Sequence, residues 1–320
     1  MNERSLVRSW GLILTLTFGL LAPRAASAYC RATTCDPKLG DVCNRDANGC
    51  VTGYPPLYWP SSCVTFAIQR DGSLSNQITA AAFELAAHRA FDTWMKADCG
   101  NGTHPGIHVE TLGLIECDRV EFNSQHANAN AFMFRDASWS VEPGVGDALG
   151  LTTAHFDSSS GAIEDVDVEI NGTGGNLTNV DPEDGADLVS ILTHETGHFL
   201  GLDHTRDANS VMFAKYEPSV SDLRHLSADD TAGICALYPP NLIQTNSECR
   251  PINGFSGVCA ADQGEPRGCS FAPSNRAGSG WPKRELLGIG LLVTLAMVRA
   301  KSRLRERLWL YLPIKSTLSK

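Results

Sequence analysis

Apolar and polar residues alternate over residues 63–68, the period of a half-buried strand, and Arg70-Asp71-Gly72 supplies the turn that ends it. Beyond that turn the period lengthens. Over residues 78–94 the apolar positions Phe83, Ala87, Ala90, Phe91 and Trp94 recur at helical spacing, after a run of turn and capping residues at 71–76. Four more short segments, residues 107–110, 131–134, 150–156 and 163–170, read as strands, giving five in all with one long helix after the first. No internal repeat breaks this order.

Past the last strand, His194-Glu195-Thr196-Gly197-His198-Phe199-Leu200-Gly201-Leu202-Asp203-His204 carries three imidazoles and a carboxylate. Residues four apart share a helix face, so His194 and His198 can aim ring nitrogens at one metal ion with Glu195 beside them. Gly201 lets the chain turn out of the helix and bring His204 round as a third ligand. Three protein ligands leave a fourth position for water, whose pKa falls on zinc from about 16 to about 7, and Glu195 is placed to take its proton and pass it to a leaving amine. Two histidines on one helix are a common accident; the glycine and third histidine in register argue against it here. His104, His108, His126, His155 and His225 show no such spacing and stay outside the site.

On these residues the chain resembles the metzincin zinc peptidases, and further stretches place it nearest their matrixin branch. Met212, within Asn209-Ser210-Val211-Met212, resembles the Met-turn that forms an apolar floor beneath the zinc. Tyr216, four residues on, matches the matrixin wall of the pocket for the side chain after the scissile bond, and Thr205 is close to the serine that follows the third histidine there. Residues 226–239 resemble the matrixin C-terminal helix, so the likeness covers about residues 56–240. The resemblance implies an α+β fold with a twisted five-stranded mixed sheet, a long backing helix, the active-site helix, the Met-turn and a C-terminal helix. It places an antiparallel edge strand, expected at residues 150–156, where extended substrate pairs. One catalytic zinc and a protein or peptide substrate are further implications.

Two departures from the matrixin pattern stand out. No Pro-Arg-Cys-Gly switch is present, the early cysteines lying in Tyr29-Cys30-Arg31-Ala32-Thr33-Thr34-Cys35. Where the matrixin structural zinc needs histidines, the chain reads Asp165-Val166-Asp167-Val168-Glu169-Ile170, carboxylates that favour calcium as a structural ion. The acidic run Asp181-Pro182-Glu183-Asp184-Gly185-Ala186-Asp187 is read as complementing the positive end of the active-site helix, with calcium binding as the alternative.

Both ends look like export signals. Residues 1–28 combine Arg4 and Arg8, an apolar run at 11–22 and Ala26-Ser27-Ala28, a secretory signal peptide cut after Ala28. Export makes the eleven cysteines a disulfide question. Ten of them, Cys30, Cys35, Cys43, Cys50, Cys63, Cys99, Cys117, Cys235, Cys249 and Cys259, can pair among themselves in an order the sequence leaves open, and Cys269 is left over. A Pro/Ser/Gly-rich linker, an apolar stretch at 286–298 and Arg299, Lys301, Arg303, Arg305 and Arg307 follow it. That order resembles the C-terminal sorting signals of myxobacterial surface proteins, which implies processing at Cys269; a lasting membrane anchor is the alternative.

The expected organisation is therefore a signal peptide at 1–28, a Cys-rich segment at 29–55, the catalytic domain at 56–240, a Cys-containing tail at 241–269 and a linker with sorting or anchor signal at 270–320. Residues 29–269 hold 13 Lys+Arg against 33 Asp+Glu, a net −20 that offers nothing to nucleic acid. A monomeric, secreted or surface-displayed zinc endopeptidase is expected, touching a membrane only through its C-terminal signal or a lipid. The alternative is a surface binding or adhesion protein that keeps the scaffold without turnover.

Overall fold

In the computed structural model, residues 29–139, 148–174, 176–179, 185–216, 221–242, 249–263 and 312–314 are described. The five expected strands form at β1 (Cys63–Gln69), β2 (His108–Ile115), β3 (Ala131–Arg135), β4 (Gly150–Phe156) and β5 (Ile163–Asn171). They lie in the order β4-β5-β3-β1-β2. Neighbours β5-β3, β3-β1 and β1-β2 are parallel, and only β4 runs against its neighbour β5. This is the mixed five-stranded sheet that the resemblance implies. A three-residue strand, Leu312–Ile314, lies antiparallel along the outer edge of β4, a sixth strand that the sequence did not suggest. The β2 strand also runs five residues past its expected end. Gly113, at φ +83°, absorbs a bulge there instead of ending the strand, so Leu114 and Ile115 still pair with β1.

Three helices cover one face of this sheet and its rim: α1 (Ala80–Met95), α2 (Leu188–Phe199) and α3 (Ala228–Leu237). The first starts two residues later than its apolar period suggests, because the Thr79 hydroxyl accepts from the Ala82 N–H and caps it there. Its buried stripe of Phe83, Ala87, Ala90, Phe91 and Trp94 is the expected one. Phe66 and Phe132 from the sheet, Phe91 from α1 and Phe199 from α2 pack ring against ring with centroids 5.0–5.8 Å apart. Every residue of α2 is buried, so its flanking backbone groups need protein partners. Trp94 Nε1–H donates to the Thr193 carbonyl at 2.8 Å, Trp59 Nε1–H to Phe199 at 2.8 Å, and the Tyr238 hydroxyl to Leu200 at 2.8 Å. These bonds fix the height and rotation of α2 against the sheet.

Five disulfides use all ten cysteines that can pair: Cys30–Cys50, Cys35–Cys43, Cys63–Cys249, Cys99–Cys235 and Cys117–Cys259. The first two close the Cys-rich segment on itself, and two others bind the 249–263 tail to the sheet. Cys269, Ala28, residues 181–184 and the apolar stretch at 286–298 lie outside the described residues. Among the described residues no helix is long and apolar enough to cross a membrane.

Trp94 is fully buried and is the tie between α1 and α2. Trp94→Phe removes that hydrogen bond and leaves a void, while the Thr193 carbonyl keeps the Thr196 hydroxyl, so a loss of about 1–3 kcal/mol is expected in denaturant unfolding, with the m-value unchanged.

Candidate active site

His194 and His198 project from one face of α2, and the chain leaves that helix abruptly to deliver His204. Gly201 makes the exit possible: its φ is +99°, and a Cβ there would approach the Leu57 carbonyl oxygen at 2.9 Å. The result is a triangle of imidazole Nε2 atoms with sides of 3.1, 3.2 and 3.3 Å. A tetrahedral zinc with Zn–N bonds of about 2.0–2.1 Å requires its ligand nitrogens about 3.3 Å apart, so the triangle fits that ion. Among the described residues the other triads whose ligand atoms lie within 4.8 Å of one another each contain a disulfide.

The far nitrogens set the tautomers. His194 Nδ1 lies 2.6 Å from the Val211 carbonyl and His198 Nδ1 lies 2.8 Å from the Leu202 carbonyl. A carbonyl only accepts, so Nδ1 carries the proton in each ring and the Nε2 lone pair faces the centre. Burial, reinforced by His204, lowers the His194 pKa to about 3, against a small rise from its bond to Val211. Burial and the two neighbouring rings hold His198 well below its ordinary value, and burial chiefly lowers His204. All three rings are therefore neutral at pH 7, the form a metal needs.

Glu195 is fully buried beside this triangle, and its Oε2 accepts a 2.6 Å hydrogen bond from the Thr152 hydroxyl on β4. The strand can come this close because residue 150 is glycine; a Cβ there would collide with the Glu195 carboxylate. Met212 packs against Gly197, where a Cβ would collide with its sulfur and meet the Trp94 ring at 2.8 Å. Its turn is held by Asp230, from the first turn of α3. The structure shows Asp230 at 1% exposure, accepting from the Ser210 hydroxyl and from the backbone N–H of Val211 and Met212, and also completing a capping box with Ser227. Since Val211 supplies the carbonyl that orients His194, one carboxylate on α3 reaches the metal triangle through a single residue. The Ser227-to-Asp230 spacing signals the cap, but nothing local signals the turn contact.

Tyr216 is buried, and its phenol oxygen accepts the Asp187 N–H at 2.8 Å. Asp187, the last residue of the acidic run expected to complement the positive end of this helix, is the N-cap of α2. On the opposite face of the sheet, Asp165 and Asp167 are both buried, and among the described residues neither Asp165 oxygen has a hydrogen-bond partner. Burial first, then Asp167 and Glu121, push the Asp165 carboxyl well above its ordinary range. His155, which the sequence left unassigned, pairs in register with Asp165 across β4 and β5.

Comparison with known proteins agrees with this geometry. The Matrixin family matches residues 58–239. Macrophage metalloelastase of Oryctolagus cuniculus is 46% identical over 54 residues, 17% of this chain and 12% of that protein. Metalloendoproteinase 1-MMP of Arabidopsis thaliana is 42% identical over 59 residues, 18% and 16% of the two chains. Matrix metalloproteinase-C of Caenorhabditis elegans is 28% identical over 192 residues, 58% of this chain and 30% of that protein. The chain therefore spans at most 30% of the length of these relatives.

The packing at Gly197 yields a direct check. Gly197→Ala must displace Met212 or Trp94, costing about 1–3 kcal/mol by overpacking, whereas Gly174→Ala meets nothing within 4 Å. Thermal unfolding of the two variants should show a clear fall for the first and little change for the second.

Proposed function

The chain belongs to the matrixin family of zinc metalloendopeptidases, and from that premise we propose that His194, His198 and His204 hold its one catalytic zinc while Glu195 serves as general acid and base. The observation that carries this reading is the triangle of Nε2 atoms 3.1–3.3 Å apart with a buried carboxylate beside it. Zinc held there supplies Lewis acidity, polarising a peptide carbonyl and bringing the pKa of water to about 7. Glu195 then takes the proton of the attacking water and delivers it to the departing amine, so that a charged amide anion never has to leave. Thr152 holds one carboxylate oxygen and so fixes the direction of the other. Met212 packs beneath the rings, and Tyr216 walls the pocket for the residue after the scissile bond. Leu312–Ile314 lies along the outer edge of the antiparallel strand β4, and processing near Cys269 would remove it and free that edge to pair with the backbone of an extended protein or peptide substrate.

Export and surface display belong to the same reading. Five disulfides support folding in an oxidising compartment, in keeping with a signal peptide cut after Ala28. The tail at 249–263 is stapled to the catalytic domain by Cys63–Cys249 and Cys117–Cys259, so processing near Cys269 would leave that domain intact.

Calcium is the ion we propose for the carboxylates on the far face, with Asp165 and Asp167 as ligands. A buried carboxylate with neither oxygen bonded carries a large desolvation cost that a hard cation would offset, and oxygen-only donors suit calcium. The linkage has a definite sign. Because the folded-state pKa of Asp165 is raised, the folded chain without a cation binds more protons than the unfolded one, and stability falls as pH rises from about 4 through the raised value. Calcium should therefore raise the melting temperature by about 5 °C or more at pH 7–8 and by less at pH 5. Asp165→Asn should lose the calcium response without being less stable than calcium-free wild type; an undiminished response removes Asp165 from the site.

For the catalytic assignment, Glu195→Gln should keep about one zinc per chain while peptidase activity on unfolded protein falls at least about 100-fold. His204→Ala should lose metal and activity together, since three nitrogen ligands become two. Wild-type protein that binds zinc yet cleaves nothing would instead favour a binding or adhesion role on the same scaffold.

A further inference from the structure

The Cys-rich segment lies against the loop that delivers the third histidine. Its two-residue strand Cys30–Arg31 pairs antiparallel with Leu202–Asp203, and the Ala32 N–H donates to the Gly201 carbonyl at 2.9 Å. Further along the loop, Arg206 donates from Nη1 to the Ala47 carbonyl at 3.0 Å. Gly49 comes so close there that a Cβ would stand 2.9 Å from Arg206 Nε. We infer that residues 30–57 form a permanent clamp on the third zinc ligand, holding residues 201–206 where His204 closes the metal triangle. This deepens the peptidase reading above and rests on it.

The third ligand needs such support more than the other two. His194 and His198 stand on a buried helix, and a carbonyl orients each of them through Nδ1. Among the described residues His204 has no Nδ1 partner of that kind, and its own backbone N–H donates to the Asp203 carboxylate at 2.8 Å. The place of its ring therefore follows the path of the chain from Gly201 to Arg206. That path is tied to the methionine turn at Thr205, whose N–H donates to the Met212 carbonyl at 3.1 Å. At Gly201, Leu202, Asp203 and Arg206 it is tied to the Cys-rich segment. The carbonyl of Leu202 orients His198, so the same pairing reaches a second ligand.

The segment is built to keep its shape. Cys30–Cys50 joins the pairing strand to a hairpin in which the Thr52 N–H donates to the Asn44 carbonyl and the Asp46 N–H to the Cys50 carbonyl, both at 2.9 Å. Its two ends also meet, since the Leu57 N–H donates to the Ala32 carbonyl at 2.7 Å. Cys30 and Ala32 are buried, so water does not compete for the bonds made there. The family match begins at residue 58, and the clamp therefore comes from outside the region that matches. A prosegment made to be discarded would leave the metal loop complete on departure. Removing this one would strip partners from both ends of the loop.

The test uses the zinc-loaded full chain. Ala32→Pro, Arg206→Ala, Arg206→Lys and Phe83→Leu are compared with wild type for the rate of zinc release to a chromophoric chelator, melting temperature, kcat and KM. Zinc should leave about tenfold faster from Ala32→Pro, which deletes the donor to Gly201, and about threefold faster from Arg206→Ala, whose exposed hydrogen bond is worth less. Arg206→Lys, which keeps a donor on a long side chain, should return toward the wild-type rate. Measured before zinc is lost, kcat and KM should stay within about twofold of wild type in both Arg206 variants. Phe83, buried near the start of α1, reports lost stability alone: Phe83→Leu should lower the melting temperature and leave zinc release unchanged well below its midpoint. The Arg206 variants carry the test if Ala32→Pro does not fold. The active enzyme should also begin near Tyr29. Wild-type zinc release in Arg206→Ala, equal acceleration by Phe83→Leu, or an active enzyme whose N-terminus lies beyond residue 57 would each overturn the clamp. Wild type that binds zinc but cleaves none of a broad peptide set would strike the peptidase reading, and the release rates would still decide the clamp.

Discussion

Three neutral imidazoles turn their lone pairs toward one point in a buried pocket, 3.1–3.3 Å from each other. Without a cation between them that arrangement is unfavourable, because three electron-rich nitrogens face one another where water cannot separate them. Most of what surrounds the site can be understood as the means of holding it. Carbonyls of Val211 and Leu202 take the Nδ1 protons of His194 and His198 and leave those two rings one orientation each. Asp230 fixes the turn that carries Val211, and Trp59, Trp94 and Tyr238 take up carbonyls of α2 and of Leu200 that follows it, so that the helix can be buried along its whole length.

The sheet makes the second half of the site. The antiparallel strand β4 carries Thr152, which reaches the Glu195 carboxylate at 2.6 Å, while Leu312–Ile314 lies along its outer edge. Gly150 is the condition for that approach, as Gly197 is for the approach of Met212. The same sheet separates two electrostatic environments. The three imidazoles gather on the helix side, while the buried Asp165 and Asp167 carboxylates lie together on the other. The donor chemistry of each face suits a different ion, soft enough for zinc on one and hard enough for calcium on the other.

Much of this was legible in the chain, for reasons of range. The five strands and α1 follow from local apolar periods, and the three histidines share a helix face or leave it by a glycine within ten residues. Boundaries were less legible where one residue type serves two purposes. Gly113 looks like the end of a strand and is a bulge within it, and a capping hydroxyl at Thr79 moved the start of α1. Groups that act on the site from a distance left no local trace. Asp230 and Thr152 reach their partners across 19 and 43 residues, and each reads in sequence as an ordinary polar position. The pairing of the ten cysteines was equally closed to spacing alone, since it depends on which loops the sheet brings together.

The most direct test of the account is the coordination shell of the metal itself, read by X-ray absorption at the zinc edge on the purified protein. Three nitrogen scatterers at about 2.0–2.1 Å with imidazole signatures and one further light atom are predicted, unchanged when excess calcium is present. A sulfur shell at about 2.3 Å, or fewer than three imidazoles, would contradict it, because the metal would then be held somewhere other than His194, His198 and His204.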